Sequence, residues 1–189
     1  MTKIAIFASG FGSNFEALAE AVKENRLQAE IALLVTDKPH CYAVERAKNH
    51  QIEVHAFDPK AYSSKEEFET EIVNILQEKG IELIVLAGYM RLIGKVLLNA
   101  FSGKIINIHP SLLPAFPGLH AIEKAYEYGV KVFGITIHYV DEGMDTGRII
   151  TQACFHTDGT ETVEEIEARI HQLEHKHYPE TIQQLIDNK

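Results

Sequence analysis

Apolar residues along the chain fall into two alternating patterns. Short runs rich in β-branched and other apolar residues recur at Lys3–Ala8, Ile31–Thr36, Ile52–Phe57, Leu83–Ala87 and Lys104–His109. Runs of that kind read as strands covered on both faces. Between them lie stretches with helical spacing: Phe15–Asn25 (Phe15, Leu18, Ala19 and Val22 on one face), Tyr42–Asn49, Lys65–Lys79 and the short Ile93–Asn99. Ser64-Lys-Glu-Glu67 predicts a capping box opening the third of these helices, and Gly80 its stop. Strands alternating with helices predict a parallel sheet with right-handed crossovers.

After the helix expected at Ala121–Glu127 the pattern changes. Val132–Val140 and Arg148–Phe155 are strand candidates joined by Asp141-Glu-Gly-Met-Asp-Thr-Gly147, too short for a crossover helix. The pair is therefore expected to run antiparallel. Thr162-Val-Glu-Glu165 predicts a second capping box. Val163, Ile166, Ile170 and Leu173 then mark one face of a helix to about His177, with Pro179 expected to kink or restart it before Thr181–Ile186. The chain, 1–189, reads as one domain without repeats or low-complexity segments.

Composition narrows the function classes. A net charge of −9 argues against a nucleic-acid backbone as partner, so an anionic small molecule must be held by local donors such as backbone N–H groups. The two cysteines, Cys41 and Cys154, lack metal-ligand spacing and read as buried free thiols in a reducing compartment. No signal peptide or bilayer-spanning run is present, so the expectation is a cytoplasmic protein with no membrane partner. Whether it is a monomer or a homodimer stays open.

Candidate chemistry concentrates after the fifth strand. Asn107 and His109 interrupt the run Ile105, Ile106, Ile108 two positions apart, so an amide and an imidazole share one face at the strand's end. Pro110, Pro114 and Pro117 then stiffen the following loop, and Gly118 closes it. A lone polar residue at a strand end is usually structural; two on one face before three prolines point to a site. A second candidate is Gly10-Phe-Gly-Ser-Asn14, between the first strand and first helix. There a helix N-terminus offers free N–H groups and partial positive charge to a phosphate. Phe15 stands where a dinucleotide motif has its third glycine, and no Gly-Lys-Ser/Thr follows. On the residues alone, phosphate binding and simple capping by Ser13 or Asn14 both stand.

Asn107-Ile-His109-Pro-Ser-Leu-Leu-Pro114 resembles the signature of the folate-dependent formyltransferases, and Phe116-Pro-Gly-Leu-His120 is similar to the branch that formylates glycinamide ribonucleotide. The resemblance covers nearly the whole chain. It implies a Rossmann-like α/β fold: an open, twisted, mostly parallel sheet with an antiparallel edge hairpin and helices on both faces. It implies 10-formyltetrahydrofolate as co-substrate and no metal. It also gives residues roles. Asn107, His109 and Asp145, the last within Met144-Asp145-Thr-Gly147, would be catalytic. Gly12, Ser13 and Asn14 would hold the ribonucleotide phosphate, and Glu174 would contact the same substrate. His171 stands where better-known members carry glutamine, which leaves its role open. Met90, Arg91, Leu92 and Ile93, with Asn107, Asp141, Glu142, Gly143, Met144 and Asp145, would form the folate pocket. Lys65 would meet the folate tail.

Each of these has a plainer reading. Acidic turns are usually solvated, Met90 and Leu92 could be core, and Arg91 and Lys65 surface charges. His171 and Glu174 lie one turn apart on what reads as a polar helix face, and His171 with His175 makes half a metal site without a third ligand. A carboxylate beside His109 would favour the protonated imidazole, letting it act near neutral pH. His138, with Thr136 on the same face of a neighbouring strand, is a supporting partner only. The competing functions are 10-formyltetrahydrofolate hydrolysis and a silent nucleotide-binding module. The hydrolases usually carry an added N-terminal domain, and this chain starts at its first strand. It also stops short of the C-terminal extension of some family members, which is expected to matter little for the chemistry.

Overall fold

A computed structural model describes residues 1–188; Lys189, the last residue of the expected domain, lies outside them. The strands are β1 (Thr2–Phe7), β2 (Ala29–Thr36), β3 (Val54–Ala56), β4 (Leu83–Leu86), β5 (Ile105–His109), β6 (Val132–Tyr139) and β7 (Ile149–His156). They form one sheet in the order β3-β2-β1-β4-β5-β6-β7. The first five pair in parallel, and β6 and β7 are antiparallel additions beyond β5. The alternation of strands and helices foretold this arrangement.

The helices are α1 (Ser13–Lys23), α2 (Tyr42–Asn49), α3 (Lys65–Glu78), α4 (Lys95–Ala100), α5 (Ala121–Tyr128) and α6 (Val163–Asp187). Strand alternation divides the core into two. Ile4 and Ile6 of β1 join Phe15 and Leu18 of α1, Ala125 of α5 and Ile166, Ile170, Tyr178 and Ile182 of α6. Ala5 and Phe7 face the other way, into Phe68, Ile72 and Leu76 of α3 and Leu97 of α4. Among the described residues no helix is long and apolar enough to cross a membrane.

Several boundaries depart from the expected ones. Helix α1 begins at Ser13 rather than Phe15, because Gly12 turns into the helix with φ 76°. Helix α4 starts at Lys95, two residues later than expected, with Gly94 before it. A short 3-10 turn at Pro59–Ala61, capped by Asp58, was not foreseen. Helix α6 runs through Pro179 without a restart, its apolar face packed on the sheet on both sides of the proline; tertiary burial outweighs the local penalty. The capping box at Thr162 forms in full. At Ser64 only half does: the hydroxyl accepts from Glu67 N–H, but the Glu67 carboxylate takes the backbone N–H and hydroxyl of Ser63 instead. The cysteines are free but not buried, since Cys41 is half-exposed and Cys154 exposed on the edge strand β7.

Candidate active site

Strand order places the site. Parallel neighbours of β1 are β2 on one side and β4 on the other, so the chain leaves β1 and β4 in a crevice at their carboxyl ends, the usual ligand position in open α/β sheets. Two cavities open there and share Gly88.

The first, about 310 Å³, contains the strand-end residues. Antiparallel register sets Asn107 opposite His138 and His109 opposite Thr136. His138 Nδ1 lies 2.9 Å from the Tyr139 carbonyl, so Nδ1 donates there and Nε2 accepts. Asn107 Nδ2 gives one hydrogen to that Nε2 at 3.3 Å, which leaves its second N–H free in the cavity it lines. His138 is thus hydrogen-bonded to Asn107.

His109 is buried, with Nε2 2.8 Å from the Phe116 carbonyl and Nδ1 3.4 Å from Asp145 Oδ2. Each ring nitrogen faces an oxygen acceptor, and only a ring carrying both hydrogens donates to both. Asp145 has a left-handed backbone, φ 56°. Its Oδ2 also accepts the Gly118 N–H at 2.8 Å, and its Oδ1 lies 3.8 Å from His138 Nε2. The proline-rich loop therefore touches both members of the pair: Phe116 holds the imidazole and Gly118 the carboxylate. Neither backbone partner was visible in the sequence, because main-chain groups leave no residue signature.

Of the residues linked to folate by resemblance, Met90, Arg91, Leu92, Ile93, Asn107, Asp141, Gly143, Met144 and Asp145 line this cavity; Glu142 and Lys65 do not. Met90 and Leu92 are exposed at its rim, not core as their plainer reading had it. Arg91 Nε holds Asp37 at 2.9 Å rather than standing free in solvent. Asp141 Oδ1 accepts from Gly143 N–H and Thr146 Oγ1, so it closes the acidic turn. The Lys65 ammonium donates to the Leu92 carbonyl.

The second cavity, about 350 Å³, is lined by Gly10, Phe11, Gly12, Ser13, Asn14, His171 and Glu174 with Ala87 and Gly88. Neither Ser13 nor Asn14 caps α1; no side-chain cap bond exists there, and both lie in its first turn. Asn14 instead donates from Nδ2 to Glu174 Oε2 at 3.1 Å, and its buried Oδ1 has no partner. Glu174 is buried, not part of a solvated face. Burial pushes its carboxyl above the usual range, with nearby His171 pulling the other way. His171 and His175 stack 6.2 Å apart. Among the described residues the one three-residue group with metal-ligand spacing is Glu16, Glu20 and His50. Glu16 there already pairs with Arg46 and His50.

An amide, an imidazole and a carboxylate thus line one cavity, and a glycine turn lines the one beside it, at the carboxyl edge of an α/β sheet. The protein-family model described as Formyl transferase matches residues 2–182, and the chain belongs to that family. Over 186 residues it is 58% identical to the phosphoribosylglycinamide formyltransferase of Bacillus subtilis (strain 168), covering 98% of this chain and 95% of the relative. The crystal structure of glycinamide ribonucleotide transformylase 1 from Geobacillus kaustophilus is 51% identical, with TM-score 0.95 and 98% of each chain covered. The phosphoribosylglycinamide formyltransferase structure from Bacillus halodurans is 55% identical, with TM-score 0.94, covering 98% of this chain and 95% of the other.

Proposed function

We propose that this chain, acting as one domain in the cytoplasm, transfers the formyl group of 10-formyltetrahydrofolate to the amine of 5′-phosphoribosylglycinamide, a step of purine biosynthesis. The observation that carries the reading is the meeting of Asn107, His109 and Asp145 in a cavity that adjoins the glycine turn at Gly88. The relatives are named phosphoribosylglycinamide formyltransferase; neither hydrolysis nor silent binding has support of that kind.

The ribonucleotide phosphate sits on the Gly12–Asn14 turn, with Glu174 and His171 beside it, so its amine reaches toward the cavity of Asn107 and His109. The formyl group enters between Asn107 and His109, with the pterin against the 90–93 segment and the acidic turn. The amine attacks the formyl carbon, a C–N bond forms, and the carbonyl pair moves onto oxygen. The free N–H of Asn107 and a ring N–H of His109 stabilise that oxyanion. Engaging it exchanges the Phe116 carbonyl on His109 Nε2 for the substrate oxygen. Asp145 holds the imidazolium and helps carry the amine's proton away. Collapse restores the carbonyl and breaks the bond to folate N10, which leaves with a proton. No step calls on a metal.

Asn107→Ala removes one oxyanion donor and is expected to cut turnover roughly 100-fold or more with ribonucleotide binding kept, as steady-state kinetics and calorimetry would read. Near-normal turnover in that variant removes the oxyanion role.

A further inference from the structure

Asp37 is a buried carboxylate that the scheme above does not use. It follows directly on β2 and reaches both neighbouring exits at the crevice. Its Oδ1 accepts the Ser9 hydroxyl at 2.6 Å, and its Oδ2 accepts Arg91 Nε at 2.9 Å. Ser9 in turn accepts the Met90 N–H on Oγ at 3.0 Å and donates its own N–H to the Gly88 carbonyl at 3.1 Å. Three chain segments, leaving β1, β2 and β4, are tied in one network.

The two outer segments are the ligand loops. Ser9 immediately precedes the Gly10–Asn14 turn, and Met90 and Arg91 line the cavity of Asn107 and His109. A hydroxyl rotates freely unless its hydrogen is claimed. Once Asp37 claims it, a Ser9 lone pair is left aimed at Met90 N–H. A carboxylate suits this position because it alone offers two acceptor oxygens, one for each loop. Charge-assisted bonds are also the stronger kind.

We propose that Asp37 is a positioning residue shared by both substrates, fixing the phosphate turn through Ser9 and the folate segment through Arg91 and Met90. The identities of the two ligands rest on the function proposed above. Without the carboxylate, Ser9 turns away from Met90 and the half-exposed Arg91 relaxes into solvent. Both loops then sample more conformations, and each ligand must order its own. Asn107, His109 and Asp145 stand on other elements and keep their geometry.

The test is Asp37→Ala, read by KM for each substrate, by kcat, and by calorimetric titration of each ligand alone. Expected are rises of about tenfold in both KM values and both dissociation constants, with kcat within about twofold of wild type. A residue that served folding alone would lower Tm and leave both constants in place. A folded variant with neither constant changed, or with only one changed, overturns the shared role. If Asp37→Ala does not fold, Asp37→Asn carries the same readings: it keeps the volume but has a single acceptor oxygen, so smaller rises in the same two constants are expected. The titrations read the anchor whether or not turnover occurs. Wild-type enzyme that binds both ligands but transfers nothing contradicts the proposed function and leaves the anchor to be judged by binding.

Discussion

Under the proposed function, Glu174 sets stability against binding within one residue. Its carboxyl is buried and its pKa raised by that burial. The sign is fixed by linkage: the folded state holds the proton more tightly, so stability is fully present below the ordinary carboxylate value and lost as pH rises through the raised one. At neutral pH the ionised group weighs against the fold. Glu174→Gln keeps an acceptor for Asn14 and is expected to raise Tm at pH 7.5 while raising the ribonucleotide KM. Unchanged Tm would place the carboxylate in a more solvated setting than its burial indicates. None of this was legible at residue level in the sequence. Asn14 and Glu174 lie 160 positions apart, and a glutamate one turn from a histidine reads as a wet helix face. Asn107 and His109 were legible because strand period alone puts them side by side.

Elements explain why the glycine turn is built as it is. Gly12 holds φ 76° at the mouth of α1, and a Cβ there would lie 2.9 Å from the Ala43 Cβ of α2. Both the backbone conformation and the space demand glycine. Gly12→Ala should shift the turn off the phosphate, raising the ribonucleotide KM at least tenfold with a smaller change for folate; equal KM values would remove the turn from the phosphate site. Helix α6 is fastened to the sheet by Tyr178, fully buried, whose hydroxyl donates to the Leu86 carbonyl at 2.7 Å beside the crevice. Tyr178→Phe is expected to lose about 1 kcal/mol in chemical denaturation. Some elements, such as α2, matched their expected limits. Those whose ends depend on a turn's backbone or on packing, such as α1 and the run through Pro179, did not.

At the scale of the molecule, one sheet brings residues from β1, β4, β5, the β6–β7 linker and α6 to a single edge. The alternating pattern made the sheet class readable. It could not show that the two cavities meet at Gly88, which follows from strand order alone. Acid stability is also a property of the whole. Burial lowers the pKa of His175, aided by the nearby charges of His171 and Arg46, and lowers that of His55 against the pull of Glu71. Such stability is present above the unfolded value of about 6.5 and lost as pH falls through the depressed folded value. Glu174 works in the opposite sense over the acid range. His175→Gln should therefore lose less stability than wild type between pH 7.5 and 5.5 in urea melts; an equal or greater loss would show that His175 titrates without penalty.

The most direct test of the central claim follows a labelled formyl group from 10-formyltetrahydrofolate with and without 5′-phosphoribosylglycinamide. Transfer of the label to the ribonucleotide's amine, with no formate released in its absence, is the predicted result. Formate released at a similar rate without the ribonucleotide, or label that never reaches the amine, would contradict the account.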